Sequence, residues 1–165
     1  MYYSSILKCD IANSTNGFTC TLFVSGCEHK CPGCFNPETH DPKYGKLFDE
    51  KAKEKIFNEL SKPYCRGFSL LGGDPLSRFS DNRSTIINLC KEIKEIYPDK
   101  TIYLWTGYTI EEVESDNEMK DILKDIDIMI DGPFIESRKK LGLELRGSDN
   151  QRIINIKEYL SKKSV

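Results

Sequence analysis

Three of the seven cysteines in this chain fall within eight consecutive positions, with the spacing C-x3-C-x2-C. They are Cys27, Cys31 and Cys34. A loop this short brings three thiolates within reach of one small inorganic centre. Such a group in a chain with an odd number of cysteines favours metal binding in a reducing compartment over a disulfide framework. The other four have no ligand spacing and are predicted to be small buried hydrophobic residues: Cys9, Cys20, Cys65 and Cys90.

Two kinds of metal site are compatible with this cysteine spacing. Four-iron clusters are usually held by four cysteines, and no fourth cysteine lies nearby, so one iron would stay open to a ligand that is not protein. An open metal position is typical of a catalytic centre. The alternative is a structural zinc site, in which His29 or His40 would complete a tetrahedron. Spacing alone leaves both possibilities open.

Apolar, β-branched-rich runs predict five strands, at residues 19–24, 68–71, 101–105, 126–130 and 152–156. Apolar residues at helical spacing predict one helix that ends before Pro63 and another that ends before Pro98. A third helix is predicted from a capping box formed by Thr109 and Glu112, and it is expected to run to about residue 125.

Strands and helices that alternate along the chain predict an α/β fold with a mainly parallel sheet. Ligands then bind at the carboxyl ends of the strands. The cysteine loop and three turns, at residues 72–75, 106–108 and 131–133, each follow a predicted strand. The 165 residues are well short of the roughly 250 of a complete eight-stranded barrel. We therefore expect a partial, open (βα) barrel that forms one domain over residues 1–165.

The charge balance excludes some classes of partner. Lys and Arg number 24 against 26 Asp and Glu, so no broad cationic face indicates binding to nucleic acid or to an anionic membrane. The first ten residues lack the features of a signal peptide, and no apolar run is long enough to cross a bilayer. These features predict a soluble, cytoplasmic protein.

The turn at residues 72–75, G-G-D-P, has a physical interpretation of its own. Gly72 and Gly73 permit a tight turn and the close approach of a ligand, while Asp74 offers a carboxylate to a cation. A turn rich in Gly and Pro between a strand and a helix can equally be structural.

Together, the cysteine loop and the glycine turn resemble the radical S-adenosylmethionine superfamily. In that superfamily the methionyl amine and carboxylate of the cofactor chelate the fourth iron, and a GGE-type motif holds the amine. The superfamily commonly has an aromatic residue just before the last cysteine, where this chain has Gly33. Residues 26–36 are similar to a narrower group, the anaerobic ribonucleoside-triphosphate reductase activating proteins, in which the aromatic residue follows the last cysteine, as Phe35 does.

The resemblance to this narrower group covers about residues 17–156. It includes the W-T-G-Y run at residues 105–108, the D-G-P-F run at 131–134 and the R-G-S-D-N-Q-R run at 146–152. The resemblance implies that Cys27, Cys31 and Cys34 ligate iron. It implies cofactor binding by seven further residues: Gly33, Phe35, Asn36, Gly72, Gly73, Asp74 and Thr106.

The activity that the resemblance implies has two stages. A 4Fe-4S cluster, reduced by an electron donor such as flavodoxin, cleaves S-adenosylmethionine to methionine and a deoxyadenosyl radical. The radical then generates a glycyl radical on anaerobic ribonucleoside-triphosphate reductase. Three alternatives remain: a pyruvate formate-lyase type activase, a small-molecule radical enzyme such as a deazaguanine synthase, and a zinc-stabilised adaptor without catalysis.

Overall fold

The computed structural model describes residues 1–79 and 81–163, which form a seven-stranded sheet with helices. The strands are β1 (Tyr2–Asp10), β2 (Phe18–Val24), β3 (Lys46–Leu47), β4 (Cys65–Gly72), β5 (Thr101–Trp105), β6 (Ile128–Asp131) and β7 (Arg152–Asn155). The α-helices are α1 (Glu50–Leu60), α2 (Asn82–Ile96), α3 (Ile110–Ser115) and α4 (Ile156–Lys163). Short 3₁₀ turns lie at Pro37–His40, Lys120–Lys124 and Glu136–Arg138. None of the described helices is both long and apolar enough to span a membrane.

The sheet has the strand order β3-β1-β2-β4-β5-β6-β7 and does not close. The pairs among β2, β4, β5 and β6 are parallel, whereas β1, β3 and β7 join as antiparallel strands. The predicted mixed α/β class is therefore confirmed. The prediction of a mainly parallel sheet applies to the four central strands only, because the outer strands reverse direction.

The parallel register brings the carboxyl ends of the four central strands together. Val24 of β2 pairs with Gly72 of β4, and Trp105 of β5 pairs with Ile130 of β6. The cysteine loop and the three turns singled out in the sequence consequently start at the same edge of the sheet. This edge carries the candidate site.

One face of the sheet supplies the hydrophobic core. One residue from each central strand forms a row of paired, fully buried side chains there: Leu22, Leu70, Leu104 and Met129. Helix α1 packs against β2 and β4 through Ala52, Ile56 and Leu60, which recur every fourth residue as predicted. Packing of this face fixes the strand ends, and thereby the turns that follow them, in a rigid frame.

The third helix is shorter than predicted. Its capping box is confirmed, since Thr109 Oγ1 accepts from the Glu112 amide at 3.3 Å and Glu112 Oε2 accepts from the Thr109 amide at 2.7 Å. However, α3 ends at Ser115. The Asp116 carboxylate accepts hydrogen bonds from the Glu118 and Met119 amides, which gives the backbone an alternative to the helix. The expected helix to residue 125 is therefore wrong.

Three elements were not predicted: β1, β3 and α4. In β1, register irregularities between Tyr3 and Ser5 and between Leu7 and Asp10 interrupt the alternation of apolar and polar residues by which a strand is recognised. Strand β3 has only two residues. The predicted fifth strand ends at Asn155, because Ile156 already begins α4.

Burial of the isolated cysteines follows the prediction at three of four positions. Cys20, Cys65 and Cys90 are buried, whereas Cys9 is exposed. Cys9 has a φ of +52°, which turns the end of β1, and its Sγ lies 3.6 Å from the carboxylate of Glu59. The prediction was therefore wrong for Cys9.

We predict that Cys90→Ser lowers the free energy of unfolding by about 1–3 kcal/mol. The serine hydroxyl is more polar than the buried thiol that it replaces, and it would be buried without a compensating hydrogen bond. Urea denaturation of the purified protein measures this change. The matched control is Cys9→Ser at the exposed position, which should stay within about 0.5 kcal/mol of the parent. Equal losses for the two variants would contradict the burial described here.

Candidate active site

The cysteine loop begins directly after β2. Gly26 has a φ of +100°, in the left-handed region that favours glycine, and its amide donates to the Thr39 carbonyl at 2.7 Å. Cys27 is 9% exposed, and Cys31 and Cys34 are half-buried. All three thiols are free. The loop therefore presents three thiols without a disulfide at the carboxyl edge of the sheet.

A pocket of about 250 Å³ lies between the cysteine loop and the strand ends. Nine of the ten predicted site residues line it: Cys27, Cys31, Cys34, Phe35, Asn36, Gly72, Gly73, Asp74 and Thr106. The tenth, Gly33, packs against Glu136, because a Cβ built on Gly33 would lie 2.7 Å from the Glu136 carboxyl group. The sequence prediction thus identified most of one side of this pocket.

The two glycines after β4 allow close packing against the start of the cysteine loop. A Cβ on Gly72 would lie 2.5 Å from the Val24 carbonyl oxygen, and one on Gly73 would lie 2.5 Å from that of Gly26. Gly72 also has a φ of +114°. The Gly73 amide donates to Val24 at 2.7 Å, and the Asp74 amide donates to Gly26 at 2.8 Å. Any larger residue at either glycine would separate the two loops.

Asp74 is 1% exposed, and its carboxylate joins several turns. Oδ1 accepts from the Leu76 amide at 2.8 Å. Oδ2 accepts from the Thr106 hydroxyl at 3.0 Å and from the Gly107 amide at 2.8 Å, and it lies 2.9 Å from Nε2 of His29. These donors compensate for the burial of a charged group. The carboxylate is thereby held in one orientation.

The sequence offered His29 as a possible zinc ligand, and the structure gives it another contact. Its imidazole lies beside Asp74, and this carboxylate raises the pKa of His29 although burial opposes the shift.

The neighbouring Glu28 accepts hydrogen bonds from the Tyr108 hydroxyl and from the Arg78 amide. Burial opposes the charge on Glu28, but hydrogen bonds from Ser77 and Tyr108 outweigh it and lower its pKa to about 2.

Trp105, at the end of β5, forms part of the pocket wall and holds the connection between β6 and β7. Its indole Nε1 donates to the Leu145 carbonyl at 2.7 Å. Leu145, which also lines the pocket, has a φ of +55°. One hydrogen bond from a sheet residue therefore fixes a strained position in the connection between β6 and β7.

Gln151 holds the rest of that connection. Its Oε1 accepts from the Gly147 and Ser148 amides at 2.9 and 3.2 Å, and its Nε2 donates to the Gly132 carbonyl at 3.0 Å. Asn150 donates to the Pro133 carbonyl at 2.8 Å. The two amide side chains of the R-G-S-D-N-Q-R run therefore act as a clamp between the end of β6 and the start of β7.

The final arginine of the same run anchors the clamp to the sheet. Arg152 Nε donates to Asp131 Oδ1 at 3.0 Å, and Nη1 donates to Glu111 Oε1 at 3.0 Å. Arg152 lowers the pKa of Glu111 to about 2. Asp131 Oδ2 also accepts from the Ile110 amide at 2.8 Å, which places the first turn of α3.

Besides His29, eight pocket residues escaped the sequence-based assignment of a site: Leu71, Trp105, Gly107, Gly132, Phe134, Leu145, Gly147 and Gln151. Most lie in runs that had been singled out as motifs, but those runs alone do not say which side chain faces a ligand. Phe134 packs against Phe35 with ring centroids 5.3 Å apart. A Cβ on Gly147 would lie 3.0 Å from Phe134 and 3.2 Å from Phe35, so a larger residue there would require the two rings to shift.

The thiols of Cys27 and Cys31 carry their protons before metal binds. Burial raises the pKa of Cys27 to about 12, and the Asp74 carboxylate adds to the rise. Burial also raises the pKa of Cys31, although a hydrogen bond from the Phe134 amide opposes the shift. Metal binding must therefore release protons from these thiols.

The arrangement of the thiols bears on the kind of centre they would hold. Within residues 1–79 and 81–163, no three His, Cys, Asp or Glu side chains converge closely enough to hold a single metal ion. The three cysteines instead line one side of a larger pocket. Three thiols on the wall of one cavity fit an iron–sulfur centre that has three protein ligands.

Comparison with known families defines the class of protein. Residues 14–154 match the family described as 4Fe-4S single cluster domain. The matched segment contains the cysteine loop and every residue that lines the pocket. The chain therefore belongs to this family of iron–sulfur proteins with a single four-iron cluster domain.

Curated relatives give the particular family. Anaerobic ribonucleoside-triphosphate reductase-activating proteins from Enterobacteria phage T4 and Vibrio cholerae are each 41% identical over 155 residues, 93% of this chain, and the match covers 93% and 97% of the respective relative. The protein of that name from Escherichia coli K12 is 36% identical over 159 residues, 95% of this chain and 100% of the relative. The chain belongs to this family.

We predict that Cys27→Ala, Cys31→Ala and Cys34→Ala each lose most of the bound iron and acid-labile sulfide after anaerobic reconstitution. Each thiolate would be one of three protein ligands, and no replacement lies in the same pocket. Metal and sulfide analysis, together with the broad visible absorbance of the cluster, measures this loss.

Cys65→Ala is the matched control, because Cys65 is buried away from the pocket and should leave the cluster content unchanged. Full cluster content in all three loop variants would contradict the ligand assignment. Stoichiometric zinc without sulfide in the parent protein would support the zinc-stabilised adaptor instead.

Proposed function

We propose that this protein is an activase that generates a glycyl radical on anaerobic ribonucleoside-triphosphate reductase. It would do so by reductive cleavage of S-adenosylmethionine at a 4Fe-4S cluster. The names of the curated relatives and the iron–sulfur family support this assignment. The observation that carries it is the placement of three free thiols and the turn of Gly72, Gly73 and Asp74 on the wall of one pocket.

The bound cofactors would supply the radical chemistry: one electron breaks a carbon–sulfur bond of S-adenosylmethionine to give methionine and a deoxyadenosyl radical, which removes a hydrogen atom from a glycine. The protein would bind, orient and shield these groups. Cys27, Cys31 and Cys34 would ligate three irons and leave the fourth open to the cofactor. No side chain is required as a general acid or base.

Asp74 and its two glycines would bind the cofactor amine. In the described part of the chain, Asp74 Oδ1 accepts one backbone hydrogen bond, and an ionised carboxylate oxygen can accept a second one. Oδ2 already faces the Thr106 hydroxyl and the Gly107 amide. Thr106 would therefore contribute by fixing the carboxylate, as well as by lining the pocket.

The adenosine part of the cofactor would lie toward the end of the cysteine loop that follows Cys34. Phe35 and Asn36 line this side of the pocket, and Phe35 packs on Phe134. Gly33, with a φ of +70°, would allow the loop to turn and to pack closely against the Glu136 side chain. A flat aromatic surface beside an amide group suits an adenine ring, which offers a stacking face and hydrogen-bonding edges.

The proposed architecture is a partial, open barrel of the radical S-adenosylmethionine type, within a single domain over residues 1–165. Its support is the unclosed sheet, with the pocket at the carboxyl ends of β2, β4, β5 and β6. A closed barrel would surround a small substrate, whereas an open one leaves a lateral entrance for a polypeptide loop of the reductase.

A flavodoxin-like protein is the proposed electron donor, and the cytoplasm is the proposed compartment. Seven free cysteines in the described chain suit a reducing environment, where thiols persist and a low-potential donor is present. The pyruvate formate-lyase type activase and the deazaguanine synthase remain the rival enzymes. The relatives' names favour the reductase over both.

We expect electron paramagnetic resonance to detect a glycine-type doublet on the reductase when the reconstituted protein, S-adenosylmethionine, a reductant and the cognate reductase are mixed anaerobically. The doublet should disappear when the radical-bearing glycine of the reductase is replaced by alanine. A doublet formed only on a pyruvate formate-lyase would identify the nearest rival as correct. Cofactor cleavage that responds only to a small purine or pterin would refute the protein-substrate proposal.

We predict that Asp74→Asn keeps the cluster but weakens S-adenosylmethionine binding about tenfold to a hundredfold, the effect of losing a charge-assisted hydrogen bond. Oδ2 faces several donors, so the new amide group would occupy the Oδ1 side and oppose both the Leu76 amide and the cofactor ammonium. Equilibrium dialysis with the oxidised, reconstituted protein measures the affinity. Asp121→Asn, at an exposed position, is the control. Unchanged affinity in Asp74→Asn would make Asp74 purely structural.

A further inference from the structure

His29 connects three turns of the site through one side chain. It lies in the cysteine loop between Cys27 and Cys31, and its Nε2 is 2.9 Å from Oδ2 of Asp74. A Cβ built on Gly107 would lie 2.5 Å from the imidazole, so the ring sits directly against that backbone. Its centroid is 4.6 Å from that of Tyr108 in an edge-on arrangement. The imidazole therefore fills the space between the cysteine loop and the ends of β4 and β5.

The surroundings hold this imidazole in one orientation. The ring of Tyr108 packs against it, and the Tyr108 hydroxyl donates to Glu28, the residue before His29. Glu28 in turn accepts from the Arg78 amide at 3.0 Å, beyond the end of β4. Nε2 of His29 lies within ion-pair distance of the Asp74 carboxylate but is not aligned for a hydrogen bond, so close packing rather than a hydrogen bond joins the ring to Asp74.

The hydrogen bonds of Asp74 do not constrain the part of the cysteine loop that contains Cys31 and Cys34. The Leu76 and Gly107 amides and the Thr106 hydroxyl belong to the turns after β4 and β5. The Asp74 amide reaches Gly26, which precedes the first cysteine. His29 is the described side chain that links the carboxylate to the loop between the first two thiols.

We propose that His29 is a positioning residue that, through Asp74, sets the spacing between the iron-binding thiols and the cofactor-amine site. This inference rests on the proposed function. A cofactor that contacts an iron and Asp74 at the same time binds tightly only when both sites are held at the correct separation. Loss of His29 would leave each site intact but would free the cysteine loop to shift relative to Asp74.

A competing explanation predicts a change of opposite sign. If the imidazole stands where the cofactor ammonium binds, then binding must displace it, and removal of His29 would strengthen the affinity. The positioning role predicts weaker affinity. The direction of the change therefore distinguishes the two explanations.

The test uses three variants of the anaerobically reconstituted protein in its oxidised state, with S-adenosylmethionine affinity measured by equilibrium dialysis. Gln carries its amide nitrogen at about the reach of Nε2, whereas Asn is shorter by one carbon. We expect His29→Ala and His29→Asn to weaken binding about tenfold, and His29→Gln to stay within about threefold. Iron and sulfide contents should match the parent in all three variants. His40→Gln, at the second histidine of the chain, is the control and should bind as the parent does.

A double-mutant cycle with Asp74→Asn tests whether His29 acts through Asp74. In the Asp74→Asn background, His29→Ala should change the affinity less than about twofold, since the shared contact is already broken. The electron paramagnetic resonance spectrum of the reduced cluster should change on addition of cofactor in the parent and in His29→Gln, and much less in His29→Ala.

Three results would overturn the proposal. Tighter cofactor binding by His29→Ala would show that the imidazole competes with the cofactor. Fully additive losses of affinity in the double mutant would show that Asp74 is not involved. Loss of iron from His29→Ala would make His29 a metal ligand. Failure of the proposed function would look different. In that case the parent itself would neither bind S-adenosylmethionine nor generate the glycine-type doublet.

Discussion

The buried carboxylate of Asp74 is the interaction on which the organisation of the site depends. A carboxylate that is 1% exposed must be compensated by donors, and these come from the turns after β4 and β5, while the His29 imidazole of the cysteine loop packs beside it. The parallel register first brings the strand ends to one edge, and the tight contacts of Gly72 and Gly73 then bring the loops together. Removal of the Asp74 charge would leave these buried donors without a charged acceptor.

The opposite wall of the pocket depends on a different set of contacts. Trp105 and Gln151 use side-chain hydrogen bonds to hold backbone groups in the connection between β6 and β7, and Arg152 ties the same connection to Asp131. The R-G-S-D-N-Q-R run therefore has a physical role as a clamp that shapes the pocket. This explains how a run without nucleophile or metal ligand contributes to a radical site, since the protein must mainly orient and shield reactive groups.

Local chemistry determined what the sequence could predict. Cysteine spacing, paired glycines and a capping box are short-range signals; the residues of the first two line one pocket, and the third marks the start of α3. Long-range contacts determined the rest. Asp116 ends α3 through its own hydrogen bonds, irregular register hides β1, and the contact of His29 with Asp74 joins residues 45 positions apart. No pattern along the chain reports that contact, because it exists only after β2 and β4 have paired.

The central claim is that the thiols of the cysteine loop and the Asp74 turn form a single site for a cluster and its chelating cofactor. Electron–nuclear double resonance on the reduced, reconstituted protein tests this most directly, with S-adenosylmethionine that carries ¹⁵N at its amine. We expect a hyperfine coupling between the labelled nitrogen and the cluster, and a weaker population of this species in Asp74→Asn. A cluster spectrum that is identical with and without the labelled cofactor would contradict it.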